Sequence, residues 1–270
     1  MSRYRAIFDC ETIPDSDSLR ITYGFDGSDE DVANLAFSAQ KEKTGSEFLP
    51  VNFHKVVAIS MVLADEFGKF IRVDSIKGGS EEEIIRNFIK FIDKHNPLLV
   101  SFNGRGFDIP MIMIRAMRYN ITAFSYFEVK NPMLNKDKWD NYRVRYSSNF
   151  HLDLLDFISE HKSVFGFNLD SLCKTLNLPG KYDTKGDQVT RLFYAGCKDI
   201  IDEYCQSDTL NTYWLFLKYE ILRGNLTIED YASFLAGMRD YLEKEKPQMS
   251  YTPVFHQHIQ KELERLGYEI

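Results

Sequence analysis

The chain has 270 residues, with 33 Lys and Arg against 40 Asp and Glu, for a formal charge of −7. At 44% apolar and 27% charged it has the composition of a globular protein in one large or two small domains, which excludes a disordered or fibrous chain. Cys10, Cys173, Cys197 and Cys205 form no C-x-x-C pair and indicate neither a zinc ribbon nor a disulfide framework. The opening MSRYRAIFDCET leaves no room for a secretory apolar region, and no apolar run reaches the roughly 18 residues that span a bilayer, so a cytoplasmic protein without membrane contact is expected. The acidic balance also argues against a broad electrostatic grip on nucleic acid.

In chain order, Arg5–Phe8 reads as a short buried strand finishing on Asp9. From Ile13 to Pro50 the chain is polar without a sustained period, and a long loop is expected there. Val56–Ala64 is a nine-residue apolar run that reads as a central strand, with Phe70–Val73 as its hairpin partner across the turn Asp65–Gly68. Ser80 caps a helix whose first turn holds Glu81, Glu82 and Glu83 and whose apolar face runs from Ile84 to Ile92. Leu98–Phe102 is a further strand, ending in the turn Asn103–Gly106, and Asp108–Tyr119 is a second amphipathic helix. Residues 120–149 are irregular, and Phe150–Asp153 is a short strand. Helical patterns then recur at Leu169–Leu176, Gln188–Ala195, Asp199–Arg223, Thr227–Glu245 and Phe255–Leu266. This order predicts an α/β fold with a mixed sheet, because the first strands are too close for crossover helices and must pair antiparallel in part.

Three acidic segments carry the chemistry. In Asp9-Cys10-Glu11-Thr12, extended backbone points both carboxylates to one face, where two like charges call for a divalent cation. Asp108 opens a helix after the strand Leu98–Phe102, at the carboxyl edge of the sheet. In Tyr204-Cys-Gln-Ser-Asp208 the phenol and the carboxylate lie one helical turn apart. Each alone has a bland reading: a solvated turn acid, a helix cap, an exposed i,i+4 pair. Together, four carboxylates from three segments can converge on a pair of hard divalent ions, Mg²⁺ or Mn²⁺, the arrangement that phosphodiester hydrolysis by two metals requires. A neutral Tyr hydroxyl beside them can orient water.

FDCET, NGRGFD and YCQSD resemble, in order and internal spacing, the three motifs of the DEDD exonucleases in their tyrosine subclass. The pattern is most similar to the proofreading exonuclease domain of family B DNA polymerases, here in a chain too short to carry a polymerase as well. The resemblance covers residues 1 to about 224. It implies a 3′→5′ exonuclease of ribonuclease H-like fold: a five-stranded mixed sheet, three strands antiparallel and two parallel, flanked by helices, with residues 225–270 a helical C-terminal extension packed on the domain 1–224. By the same resemblance Asp9, Glu11, Asp108 and Asp208 are metal ligands and Tyr204 positions the attacking water. Thr12, Asn103 and Phe107 would meet the terminal nucleotide, and Cys10 stands where an aliphatic is more usual and is expected to be an inert small hydrophobe, as is Cys205.

The expected partners are single-stranded DNA or RNA 3′ ends, with DNA favoured and nucleoside 5′-monophosphates as products. An exoribonuclease, or a non-catalytic nucleic-acid-binding module that kept the fold, are the alternatives. The segment Phe124–Tyr146 interleaves bases with aromatic rings, a pattern that suits single strands, so Lys138 and Trp139 are expected to contact substrate; packing of the loop would use the same rings. His151 and Asp153 fit a fifth acid near the cleft or a satisfied structural pair, and Lys174, Lys181, Lys185 and Arg191 read as solvated surface.

Overall fold

The computed structural model describes residues 3–181 and 188–268; Lys185 lies outside them. Strand β1 (Arg5–Pro14) is the centre of the fold. It pairs antiparallel along its whole length with β2 (His54–Ala64), from Arg5↔Ala64 to Pro14↔His54, with an irregularity between Glu11 and Thr12. On its other edge it pairs parallel with β4 (Leu98–Ser101), and only over Arg5–Ile7. β3 (Phe70–Ser75) extends the antiparallel side and β5 (His151–Asp153) the parallel side, giving the order β3-β2-β1-β4-β5. The sheet is therefore the expected mixed one, three strands antiparallel and two joined in parallel.

Two expectations need correction. β1 does not finish at Asp9; the ladder to the long β2 carries it through Asp9, Glu11 and Thr12 after its β4 partner has stopped. The polar stretch after Ile13 is not a long loop but two helices, α1 (Ser16–Tyr23) and α2 (Asp29–Thr44). α2 is held by its ends: Ser28 and Asp31 form a capping box, and Gly45 closes it at φ 80. Its few apolar side chains, Val32 and Ala36, pack with Leu19, Leu49 and Phe53 in a small separate core, which is why no sustained period marks it.

Each face of the sheet is covered. Ala6, Phe8 and Cys10 face α3 (Glu81–His95) and α4 (Asp108–Arg118), whose Ile84, Phe88, Ile109 and Ile112 are buried against them. The other face, with Ile7, Val62 and Val73, is covered by α9 (Lys198–Leu222), α10 (Ile228–Glu245) and α11 (Tyr251–Arg265). There the Trp214 indole N–H donates to the Tyr231 hydroxyl at 2.8 Å, which donates to Glu262 at 2.9 Å, satisfying buried polar atoms between the helices. Shorter helices complete the chain: α5 (Phe124–Phe127), α6 (Leu154–Ile158), α7 (Leu169–Thr175) and α8 (Val189–Tyr194). No helix among the described residues is long and apolar enough to cross a membrane.

Candidate active site

Because β4 ends at Ser101 while β1 runs on, the two strands leave a crevice at their carboxyl ends, the place where open α/β sheets bind ligands. Alternation along β1 turns Asp9 and Glu11 to the same face as Ile7, toward α9. α9 supplies Tyr204 and Asp208, four residues apart, both buried. Ligand atoms of Asp9, Glu11 and Cys205 all lie within 4.8 Å of one another. Asp108, in the first turn of α4 and 4% exposed, is close enough to act electrostatically on both Asp9 and Glu11.

The turn that delivers Asp108 is fixed from β5. Asn103 sits at φ 67, and its carbonyl accepts the N–H groups of Gly106 and Phe107. Gly104 is required here: a Cβ on it would lie 2.6 Å from Ser101 Cβ. The Asp153 carboxylate accepts the N–H groups of Asn103 and Arg105, each at 2.8 Å, and also the Leu155 N–H at the start of α6. Arg105 in turn donates to the carbonyls of Tyr142, Val144 and His151. Asp153 is thus engaged in holding the turn, and His151 bonds Ser101 at 2.8 Å.

Burial raises the pKa of Asp9, Glu11 and Asp208, and for Asp9 and Glu11 the neighbouring acids push the same way. Asp108 is pushed up to about 7, mainly by burial. Tyr204 is held neutral at any ordinary pH by burial, reinforced by the charges of Asp208, Glu11 and Asp9, so its hydroxyl keeps its proton. The thiols of Cys10 and Cys205 are buried and pushed up as well, which makes them unreactive small packing groups. One cation answers this concentration of acid: Lys181 Nζ lies 3.0 Å from Asp208 Oδ2 and bonds the Tyr204 hydroxyl. The donor set fits a hard divalent cation, since carboxylate oxygens dominate it and the acids favour the neutral form unless positive charge is added.

A family of predicted 3′–5′ exonucleases related to the exonuclease domain of PolB matches residues 46–259. The chain belongs to that family. A DNA polymerase of Archaeoglobus fulgidus is 25% identical over 137 residues, covering 50% of this chain and 17% of the polymerase. The DNA polymerase delta catalytic subunit of Candida albicans is 25% identical over 143 residues, covering 47% and 14%. The chain thus spans less than a fifth of the length of these polymerases. Among solved structures, the family B DNA polymerase of Pyrobaculum calidifontis aligns with 90% of this chain and 29% of its own, at 13% identity and a TM-score of 0.48.

Within this PolB-related exonuclease the predicted residues divide in two. Asp9, Glu11, Asp108, Tyr204 and Asp208 are brought to one crevice. Thr12, Asn103 and Phe107 border it: the Thr12 hydroxyl bonds His54 Nδ1 at 2.9 Å, and the Phe107 ring stacks with His54 and Phe48. Lys138 and Trp139 are not brought there. Their loop is anchored at the opposite end of the sheet, where Lys136 Nζ bonds Asn96 and the Ser125 carbonyl and the Tyr142 hydroxyl donates to the Pro97 carbonyl, just before β4 begins. From that end, level with Arg5, to Asp9 is about 13 Å of strand. Of the loop's rings, Tyr126 and Tyr142 are buried, while Trp139 is exposed with Lys138 Nζ over its face.

Lys181, expected on the solvated surface, is instead a site residue. It is carried there by a tertiary clamp: Asn211, three residues past Asp208, accepts the Gly180 N–H and donates to the Gly180 carbonyl. No spacing in the sequence encodes that contact. His54 and Phe48 were likewise missed, because lone aromatics before a strand carry no motif.

Proposed function

We propose that this chain is a metal-dependent 3′→5′ exonuclease that removes nucleoside 5′-monophosphates from single-stranded 3′ ends, with DNA favoured over RNA. The observation that carries this reading is the convergence of Asp9, Glu11, Asp108 and Asp208, from two strands' ends and a helix, on one crevice beside Tyr204. These four carboxylates are the groups that would hold two Mg²⁺ or Mn²⁺ ions. Bound there, the ions supply a lowered pKa for the attacking water and neutralise charge at the leaving 3′ oxygen. Tyr204, protonated and four residues from Asp208, orients the water by hydrogen bonding and does not act as a base. Thr12, Asn103 and Phe107 border the terminal nucleotide. Lys138 and Trp139 stand too far along the sheet to reach it and are left outside the subsite. Residues 1–224 form the exonuclease unit in this reading and 225–270 an extension packed on it.

The test is digestion of one sequence as 5′-labelled single-stranded DNA and as RNA with Mn²⁺ present. Shortening from the 3′ end with release of 5′-monophosphates supports the reading, and the ratio of rates assigns the sugar. Binding of both strands without any shortening would instead support a non-catalytic module.

A further inference from the structure

Three rings stand at the rim of the acidic crevice, and one of them lies outside the three acidic motifs and is uncovered. Phe48, 60% exposed, has its ring centroid 5.2 Å from both His54 and Phe107, which meet edge-on at 4.9 Å. Two covalent links place this cluster against the acids. Phe107 adjoins Asp108, and His54 is bonded to Thr12, the residue after Glu11.

His54 is locked in one form. Its Nε2 lies 3.1 Å from the Leu49 carbonyl, which can only accept, so Nε2 carries the proton. Burial favours the neutral ring, so Nδ1 is an acceptor and the Thr12 hydroxyl donates to it. Leu49 itself is buried, which anchors the backbone that presents Phe48. The rings therefore form a supported surface and not a loose side chain.

We propose that Phe48, backed by His54 and Phe107, is the stacking platform for the nucleobase of the 3′-terminal nucleotide, which makes an unpaired, base-bearing 3′ end the substrate of the crevice. This rests on the exonuclease reading above and deepens it. The platform is made of aromatic faces, so its ligand is the flat, apolar part of a nucleotide and not its phosphate. A base still paired in a duplex is stacked on its neighbours and hydrogen-bonded, and must be released before it can lie on Phe48. Stacking on a ring tolerates every base, with the larger purines gaining more contact.

The experiment uses the full-length protein and two sets of 5′-labelled oligonucleotides, with a normal or an abasic 3′-terminal nucleotide. Phe48→Ala is expected to raise KM for the base-bearing end at least about fivefold with kcat little changed, and to impose no such penalty on the abasic end. Phe48→Trp is expected to restore the lower KM. Terminal 2-aminopurine, bound with Ca²⁺ in place of Mg²⁺, should be quenched by wild type and not by Phe48→Ala. Equal KM changes on both ends, or quenching independent of Phe48, would overturn the platform. Failure of wild type to digest either oligonucleotide would overturn the exonuclease reading separately, and the 2-aminopurine measurement would still decide on the platform.

Discussion

Lys181 Nζ and Asp208 Oδ2 are 3.0 Å apart, and the same ammonium bonds the Tyr204 hydroxyl. An acidic crevice built for divalent ions therefore also has a positive charge supplied by the chain itself. That charge offsets repulsion among the carboxylates and competes for Asp208 with any ion the site takes up.

Replacing Lys181 separates these roles. Lys181→Ala should lower the Tm of the metal-free protein, and Mn²⁺ should close the gap. With its competitor gone, Asp208 should bind Mn²⁺ about tenfold more tightly, or about 1.4 kcal/mol, by titration calorimetry. A variant with unchanged metal-free Tm and weaker Mn²⁺ binding would contradict the competition.

The pH dependence follows from the raised acids. Asp9, Glu11, Asp108 and Asp208 take up protons more readily folded than unfolded, so their protonation stabilises the native state and is lost as pH rises through their folded values, about 7 for Asp108. Glu262 works in the opposite sense, pulled down to about 2 chiefly by its bonds to Arg265 and Lys218, but its contribution is complete above about pH 5.5. The metal-free Tm should therefore fall between about pH 5.5 and 8. Because an ion needs the ionised carboxylates, the Tm increase caused by Mg²⁺ should grow over the same window. Thermal denaturation in EDTA and in Mg²⁺ checks both, and a Mg²⁺ effect that shrinks as pH rises would contradict the assignment.

How much of this was legible depends on what kind of signal placed each residue. Asp9 with Glu11, and Tyr204 with Asp208, were legible because local periodicity alone sets which side chains share a face. The extent of β1 was not, since its continuation through Thr12 depends on the length of β2 as its partner. α1 and α2 escaped because caps, not apolar period, define them. Bases among aromatic rings look the same whether the rings stack on a ligand or, like Tyr142, fill the core, so Lys138 and Trp139 were placed at the wrong end of the sheet. Lys181 depends on a clamp between residues 31 positions apart, which no window contains.

Away from the acids, Arg115 ties together the elements that set the crevice. It bonds Asp15 at the end of β1 and both oxygens of Glu81 at the start of α3, with all three side chains 3% exposed. Glu81 also accepts the Val56 N–H and the Tyr119 hydroxyl. Arg115→Ala leaves two buried carboxylates unpaired and should cost roughly 3–5 kcal/mol in urea denaturation. A loss below about 1 kcal/mol would show that water replaces the guanidinium.

Asp153 tests the support of the turn. Asp153→Ala removes the acceptors of the Asn103 and Arg105 amides and should cost roughly 1–3 kcal/mol. As a positioning residue it should also lower kcat by moving Asp108, while Asp153→Asn, which keeps one acceptor oxygen, should recover part of both. Equal kcat in wild type and Asp153→Ala would separate the turn from catalysis.

The most direct test of the account is the fate of a 5′-labelled single-stranded oligonucleotide with Mn²⁺ and wild type, Asp108→Ala or Asp208→Ala. Wild type should produce a ladder that shortens from the 3′ end, and both variants should leave the substrate intact while remaining folded. Digestion by either variant at the wild-type rate would contradict the claim that these carboxylates carry the reaction.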